Sequence, residues 1–584
     1  MRRYTLEVSV NRYSLGVHLG HDRGAALVSN GELVAHIAEE RLDRIKSSNS
    51  PELPLKSIEA VLDIGGIRSN DLGVVGISYT NVQIERIIHV LKDELRDTLG
   101  APTLQVIGVG HHDGHAWSTY CTANVQDALI VVADGSGDIV GDKLEAESVY
   151  LGSGDAITLV DRRLQEFGLS RPNRRNAFVL PYMHDLDRRK ETSLGHKYEQ
   201  FTYLAGFGQR EAGKTMGLAG YGRPLFHPAV PRIRNLQFSL TCETGLVEID
   251  QVWQASGEPW HRFLKQRAAD IAATGQQLIE EYMIGLLNAL NPRGDHKALC
   301  GAGGVFLNCQ MNGRILAETK FTDVHVVPAA GDDGLSVGAA FYAYDQLFGP
   351  PKRGSAALPY LGKEYDRITI QQELNEFGLS AEYLPTAELL ERMSDDLANG
   401  KVLGLLRGRS EIGPRALCHR SILADPRRAA MKDYLNALKG REMFRPFAPV
   451  IPLEDQRKYF ELERISPFML FATNLRPQFK EALPAVVHVD GSSRIQAVAK
   501  EKEPFIHALL RSFEKRTGFP VLLNTSFNLA GDPIVESPRD AILTFLKSDI
   551  DVLVMEGFCI DKRLCHAERF LDSAKAGRPS ILSS

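Results

Sequence analysis

His111 and His115 stand four residues apart in the run HHDGHAWSTY, and on a helix that spacing turns both imidazoles to one face. Two such nitrogens can grip a metal ion if carboxylates elsewhere in the fold complete its sphere. Asp134 ends the apolar run of ALIVVADGSGD, and Asp332 follows VHVVPAAG. Each lies just past a predicted buried strand, where α/β folds carry functional groups. A histidine pair alone is commonly an exposed face or a satisfied core pair; the two strand-end aspartates favour a metal. A nitrogen and oxygen donor set without thiolate points to iron, manganese or zinc, not to a structural cysteine site. His112 lacks the four-residue relation to His115, and Asp333 enters the set only if the register slips by one.

A second concentration of chemistry lies downstream. Residues 401–450 hold eleven Lys/Arg against four Asp/Glu, although the whole chain carries a formal charge of −5. Arg415, Lys439 and Arg445 sit among Gly, Pro and Phe in RGRSEIGPRALCHRSILADPR and LKGREMFRPFAP. That setting suits a small-anion pocket better than a solvated charged face, because arginine forks grip phosphate or carboxylate oxygens and lysine adds a point charge. DGSSRIQAV adds Arg494, and LLNTSFN adds Asn524, Thr525 and Ser526 after an apolar run. Three glycine-rich turns precede this region: GKTMGLAGYG (Gly213–Gly222, with Lys214), the CGAGG of Cys300–Gly304, and GDDG (Gly331–Gly334). Glycines let backbone amides approach a phosphate, and three such turns in one domain suit a bound nucleotide.

These groups need a scaffold. A strand is expected over Ser14–Gly20, then a turn, then a hairpin of Ala25–Ser29 and Glu32–Ala38 joined by Asn30-Gly31. A second strand pair, Ser148–Leu151 and Ala156–Val160, turns at Gly152–Asp155. Lys265–Leu290 reads as a long helix with Leu278, Tyr282, Leu286 and Ala289 on one face. Leu299–Leu316 reads as strand, glycine turn and helix start. After Gly349–Ser355, a linker by composition, the pattern restarts with a helix near Ile370–Phe377 and a strand at Val402–Leu406. No internal repeat is evident. Alternating strands and helices mean an α/β fold.

With 584 residues, the chain exceeds one core and implies at least two large domains. Its acidic balance argues against a nucleic-acid partner, and aromatics are not interleaved with the basic residues as base stacking requires. The N-terminal MRRYTLEVSVNRY lacks a signal-peptide core, and no apolar run is long enough to span a bilayer. Seven cysteines without CxxC spacing read as reduced thiols in a cytoplasm. The oligomeric state stays open, with the homodimer common among large α/β enzymes.

The chain resembles the NodU/CmcH-type O-carbamoyltransferases. The strings that carry the resemblance are GHDRGAAL, EERLDRIK, HHDGHA, VADGSGD, GKTMGLAGYG, GGVFLNCQMNGR, PAAGDDGLSVGAA, GRSEIGPRALCHRSILADPR, REMFRPFAP and LLNTSFN, in family order from about residue 14 to 540. The resemblance implies an α/β chain of two catalytic domains. The first, over 1–350, is an actin-like ATPase domain similar to TsaD. After a linker, 351–365, comes a YrdC-like domain over 366–548, and then a C-terminal segment and tail, 549–584.

The resemblance further implies an activity. ATP, accompanied by Mg2+, and carbamoyl phosphate would yield carbamoyl adenylate, whose carbamoyl group passes to a hydroxyl of a small secondary metabolite. Arg415, Lys439, Arg445 and Arg494 match the carbamoyl phosphate positions. Asn524 and Ser526 fall on the ATP or adenylate side, as do Lys46, Ser136, Gly137, Lys214, Gly303, Gly304 and Asn308. His111, His115, Asp134 and Asp332 match the metal ligands, and His21 the general base. A tRNA threonylcarbamoyladenosine-type enzyme is the alternative. A HypF-like factor is disfavoured by the missing CxxC zinc fingers, and a non-catalytic actin-like module by the presence of His21 and all four ligands. The acceptor pocket is expected in the irregular stretches Gln165–Tyr198 and Gln237–Trp260.

Overall fold

The computed structural model describes residues 12–80, 82–166, 190–230, 232–354 and 358–564. The chain divides into two compact units. One runs to Gly362 and includes Ile412–Pro414 and Leu470–Ala472; the other holds Lys363–Glu411, Arg415–Met469 and the chain from Thr473.

The first unit is a duplicated α/β arrangement. Strands β1 (Tyr13–His21), β2 (Gly24–Ser29), β3 (Glu32–Ala38), β4 (Val74–Tyr79) and β5 (Gln105–Gly108) form a sheet in the order β3-β2-β1-β4-β5. Its first three strands are antiparallel and its last two run parallel to β1. Strands β6 (Asp127–Ala133), β7 (Lys143–Ser153), β8 (Ala156–Glu166), β9 (Ala298–Ala302) and β10 (Asp323–Val326) repeat that order and those directions as β8-β7-β6-β9-β10. A repeat that is not evident in the residues is thus present as topology. It left no trace in the residues because each half needs only apolar strands of the right length, not the same ones. The doubled topology bears out the α/β class.

Helix α1 (His111–Thr122) packs on the second sheet, α3 (Leu335–Phe348) on the first, and the two helices pack on each other. Their approach is set by glycine. A Cβ on Gly338 would lie 1.7 Å from the Gly114 carbonyl oxygen, and one on Gly16 of β1 would lie 1.9 Å from the Ser336 oxygen. Gly338→Ala is therefore expected to push α1 and α3 apart, at a cost of about 3 kcal/mol. A lowered melting temperature with weakened metal binding would report it; an unchanged melting curve would mean the helices slide freely.

The Asn30-Gly31 turn closes β2–β3 with both residues left-handed, φ 51° and 84°, as a two-residue hairpin of type I′ requires. The predicted long helix starts earlier, as α2 (Trp260–Leu290). One expectation fails outright. Gly213–Gly222 is not a glycine turn: most of it lies in the helix Ala212–Ala219. Its small residues serve contact with α2: a Cβ on Gly222 would lie 2.0 Å from the Ala269 oxygen.

The second unit centres on an eight-stranded mixed sheet. In chain order its strands are β11 (Glu382–Tyr383), β12 (Leu403–Leu406), β13 (Arg420–Ala424), β14 (Ala448–Pro452), β15 (Gln496–Val498), β16 (Leu522–Ser526), β17 (Val552–Met555) and β18 (Phe558–Asp561). They lie side by side as β11-β18-β17-β12-β13-β16-β14-β15. The late apolar run Val552–Met555 is therefore an interior strand, fully buried between β12 and β18. Helices Thr386–Ala398 and Pro504–Thr517 pack against each other, and with β12 and β16 they enclose a core of Leu397, Leu405, Leu509, Phe513 and Leu522. Among the described residues no helix is long and apolar enough to cross a membrane, and all six described cysteines are buried thiols.

Candidate functional site

The first site forms where α1 meets the ends of β6 and β1. Asp134 follows the last residue of β6, and Asp332 opens a short turn, Asp332–Gly334, before α3. His115 Nε2 lies 3.0 Å from Asp134 Oδ2 and 3.5 Å from Asp332 Oδ1; His111 Nε2 lies 3.4 Å and 3.5 Å from the same two oxygens. Donors bound to one ion at about 2.1 Å stand about 3.0 Å apart at right angles and about 3.4 Å apart at tetrahedral angles. The four groups have that spacing, all their ligand atoms lie within 4.8 Å of one another, and they suit a divalent ion.

The ring nitrogens facing away, Nδ1 of His111 and of His115, are buried without hydrogen-bond partners, so nothing competes with the Nε2 atoms as donors. Asp134 Oδ1 is fixed by the amides of Gly135 and Gly304, and Asp332 Oδ2 by the Thr80 hydroxyl at 3.0 Å. Burial pulls the imidazoles down, but the two carboxylates outweigh it and lift His115 to about 9. The same carboxylates resist protonation: burial raises them, and the facing histidines pull Asp134 and Asp332 well below the usual range.

His21 ends β1, about one-third exposed, with Nε2 3.1 Å from Asp332 Oδ2 and Nδ1 3.2 Å from Asp22 Oδ2. Its pKa is raised: burial lowers it, but Asp332 and Asp22 dominate together. The His21 side chain is thus part of the same cluster.

The second site lies in the other unit. Lys439 is almost fully buried, and its ammonium donates to the Ser526 carbonyl, to Asn528 O at 2.9 Å and to Asn528 Oδ1 at 2.9 Å. Two residues on, Arg441 lies over the Phe447 ring, 4.2 Å from its centroid, with Nε held by Asn436 Oδ1 at 2.7 Å and Nη2 buried without a partner. Burial first, then the nearby Arg445 and Arg494, depress the Arg441 pKa to about 9. Arg494 also buries an unpartnered Nε. Asn436 donates to the Arg445 carbonyl, so one side chain places two of these three arginines. A buried guanidinium crowded by two others is a site built for an anion.

Residues 74–341 match the family described as Carbamoyltransferase N-terminus, and residues 394–562 that described as Carbamoyltransferase C-terminus. The chain belongs to the carbamoyltransferase family. This carbamoyltransferase is 34% identical over 587 residues to the nodulation protein NolNO of Sinorhizobium fredii, covering 94% of its own length and 80% of that protein. It is 36% identical over 242 residues to the 3'-hydroxymethylcephem-O-carbamoyltransferase of Amycolatopsis lactamdurans, covering 41% and 44% of the two chains. A full-length HypF structure is 14% identical with a TM-score of 0.39, over 58% of this chain and 56% of that one, a likeness too loose to bear on the fold.

The remaining candidate residues of the carbamoyltransferase are placed as follows. Lys46 is exposed on the loop before Asn49, where the Arg210 guanidinium reaches the Ser47 carbonyl. Lys214 pairs with Glu211 at 2.6 Å. Ser136 and Gly137 continue the turn from Asp134; the Gly137 amide bonds Glu145 O at 3.0 Å. The Gly303 amide bonds Ala330 O, and Gly304 supports Asp134. Asn308 caps the helix Cys309–Glu318 and exchanges amide bonds with Gln276. Most of the acceptor stretch Gln165–Tyr198 lies outside the described residues. The part that is described includes the start of the helix Leu194–Leu204, and the other stretch contains Leu246–Ser256, where irregular loops were expected. Arg441 escaped the sequence reading. It sits inside the quoted LKGREMFRPFAP, but counting cations does not tell a buried one from a solvated one.

Of the neighbouring histidines, His112 turns away to Ser148 Oγ at 2.7 Å. His36 of β3 shares the property of being buried neutral. Its Nε2 bonds the Asp333 carbonyl at 2.7 Å and must carry the proton, while Nδ1 is buried without a partner. Burial lowers its pKa to about 4. Between about pH 6.5 and 4 the unfolded chain therefore binds a proton that the folded chain refuses, and stability falls by about 1.4 kcal/mol per pH unit from this residue alone. His36→Gln keeps an N–H for Asp333 and cannot titrate. Its unfolding midpoint should fall less steeply than wild type from pH 6.5 to 4; parallel curves would mean His36 is not neutral in the fold.

Proposed function

We propose that this carbamoyltransferase builds carbamoyl adenylate from carbamoyl phosphate, water and ATP: water takes the phosphoryl group and leaves carbamate, which attacks the α-phosphorus of ATP and expels pyrophosphate, and the carbamoyl group then passes to a hydroxyl of a small secondary metabolite. The observation that carries the first half is the cation set of buried Lys439 with half-buried Arg441, Arg445 and Arg494, with Arg415 in the same unit. Carbamoyl phosphate brings a dianionic phosphate that such a set neutralises bidentately. Ser526, bonded to Lys439, stands beside it on the nucleotide side, and Mg2+ would accompany ATP.

The transfer half belongs to the first unit. The acceptor hydroxyl attacks the carbamoyl carbon, AMP leaves, and the hydroxyl proton passes to His21, which Asp22 orients through Nδ1. A general base at that position contributes roughly 10²–10⁴-fold. His111, His115, Asp134 and Asp332 would hold a divalent ion, Fe2+ foremost, with Mn2+ or Zn2+ as alternatives; it would supply Lewis-acid stabilisation of charge on the adenylate oxygens. The hydroxymethylcephem named in one relative supports a hydroxyl acceptor, and the nodulation proteins support secondary rather than central metabolism. A cytoplasmic enzyme, monomeric or a homodimer, acting on a small molecule without nucleic acid or membrane fits this reading.

The test measures pyrophosphate and AMP with ATP, carbamoyl phosphate and ferrous iron, on wild type, Arg415→Ala and His21→Gln. Pyrophosphate release that needs carbamoyl phosphate, is lost in Arg415→Ala and survives in His21→Gln is the expected pattern. No release by folded, metal-loaded protein sinks the reading and leaves a tRNA-modifying role to be assayed.

A further inference from the structure

Arg415 sits on the loop between β12 and β13, and that loop is held by an unusual bond set. The Glu411 carboxylate is 5% exposed, and its Oε1 accepts three backbone amides: Leu417 N at 2.7 Å, His419 N at 2.8 Å and Arg420 N at 2.9 Å. The intervening amide, Cys418 N, points elsewhere, to Ser421 Oγ at 2.9 Å. That alternation requires Cys418 to adopt a left-handed backbone, φ 78°, a conformation that costs a non-glycine residue energy and persists only where the surroundings impose it. The carbonyls of the same stretch are held from the sheet. Asn524 on β16 donates to Ala416 O at 3.2 Å, and Gln496 on β15 donates to Leu417 O at 3.0 Å. Asn524 and Gln496 are locked together at 2.7 Å. Leu417 is thus gripped on both edges, its amide by Glu411 and its carbonyl by Gln496, and Ala416, next to Arg415, is held through its carbonyl by Asn524.

We propose that Glu411 is the positioning residue for Arg415: its carboxylate closes the loop into a ring that fixes where the Arg415 guanidinium meets the carbamoyl phosphate anion. This rests on the reading of Arg415 as a carbamoyl phosphate ligand. It also recasts Asn524, expected on the nucleotide side, as the second tether of the same loop. A buried carboxylate so near an anion site repels the substrate unless its charge is spent locally, and three amides on one oxygen spend it. Misplacing a binding group by about 1 Å costs on the order of 100-fold, so the loop geometry matters as much as the arginine itself.

The experiment measures KM for carbamoyl phosphate and for ATP in the pyrophosphate assay for Glu411→Ala, Glu411→Gln, Arg415→Ala and the Glu411→Ala/Arg415→Ala double variant. Hydrogen exchange of the Leu417–Arg420 amides is followed in each. Glu411→Ala should raise the carbamoyl phosphate KM by on the order of 100-fold, leave the ATP KM unchanged, and release the three amides to exchange. Glu411→Gln keeps an accepting oxygen without the charge and should stay within about 10-fold of wild type. The double variant should be no worse than Arg415→Ala, because Glu411 acts through it. A further loss in the double variant, a parallel rise in ATP KM, or amides still protected in Glu411→Ala overturns the proposal. Normal carbamoyl phosphate use by Arg415→Ala overturns the substrate reading instead; the amides then still decide whether Glu411 holds the loop.

Discussion

Asp134→Asn is expected to strip the first unit of its metal while leaving the fold intact. The substitution is isosteric, and Asp134 divides its work between its two oxygens. Oδ1 accepts the Gly135 amide at 2.7 Å and the Gly304 amide at 3.3 Å, tasks that the asparagine oxygen performs equally well. Oδ2 faces both His111 and His115, and there asparagine presents an N–H2 that donates to imidazole and cannot ligate. Metal affinity should drop by more than about 100-fold, since changes one shell further out already cost up to that much. The unused neighbour supplies the control. Burial lifts the Asp333 carboxyl to about 8, so it is protonated at neutral pH, and Asp333→Asn replaces it with a neutral amide of the same shape. Metal content by elemental analysis, with Co2+ substitution as a spectroscopic check, should fall in Asp134→Asn and hold in Asp333→Asn. Retention in both would exclude Asp134 from the donor set.

The contrast between those two aspartates marks what was legible in the sequence. The i,i+4 histidines and the strand-end carboxylates could be read because each obeys a local rule: helical periodicity for one, the end of a buried strand for the other. The structure brings the four together through long-range packing, yet each was marked by its immediate neighbours. His21 was reached only through resemblance, since no local rule singles it out. The alternation of strands and helices gave the fold class, but not that the first unit is built twice. Duplication of topology needs no duplication of residues.

Where local rules misled, packing had overridden them. Glycine in Gly213–Gly222 reads as turn chemistry, yet there it lets one helix lie against another. Asn308, Gly303 and Gly304, expected on the nucleotide side, also bond within the protein, on Gln276, Ala330 and Asp134. Glu411 was invisible for a different reason. A lone acid in a basic stretch looks incidental until the three amides it collects are seen.

Arg441 yields the other large effect, and the expected result has two parts of opposite sign. Its guanidinium is largely buried and faces two other guanidiniums: burial, Arg445 and Arg494 all push against its charge, and among the described residues the relief, from Glu442, is smaller. Removing a buried, poorly compensated charge in favour of an apolar chain of similar length commonly leaves stability unchanged or raises it by about 1–4 kcal/mol. Arg441→Met keeps the contact with Phe447 and sacrifices one bond to Asn436, so its melting temperature without anion should equal or exceed that of wild type. The KM for carbamoyl phosphate should meanwhile rise on the order of 10²–10³-fold, the cost of deleting one partner from a buried charge contact. Inorganic phosphate separates the two effects. Bound at about 100 times its Kd it stabilises the folded protein by about 2.7 kcal/mol, so phosphate should raise the wild-type melting temperature and leave Arg441→Met unmoved. A variant that melts lower than wild type and still responds to phosphate would make Arg441 a structural arginine satisfied by Asn436 and Phe447. A variant that melts no lower and ignores phosphate would show a cation held against its own repulsion, which only an anionic ligand explains.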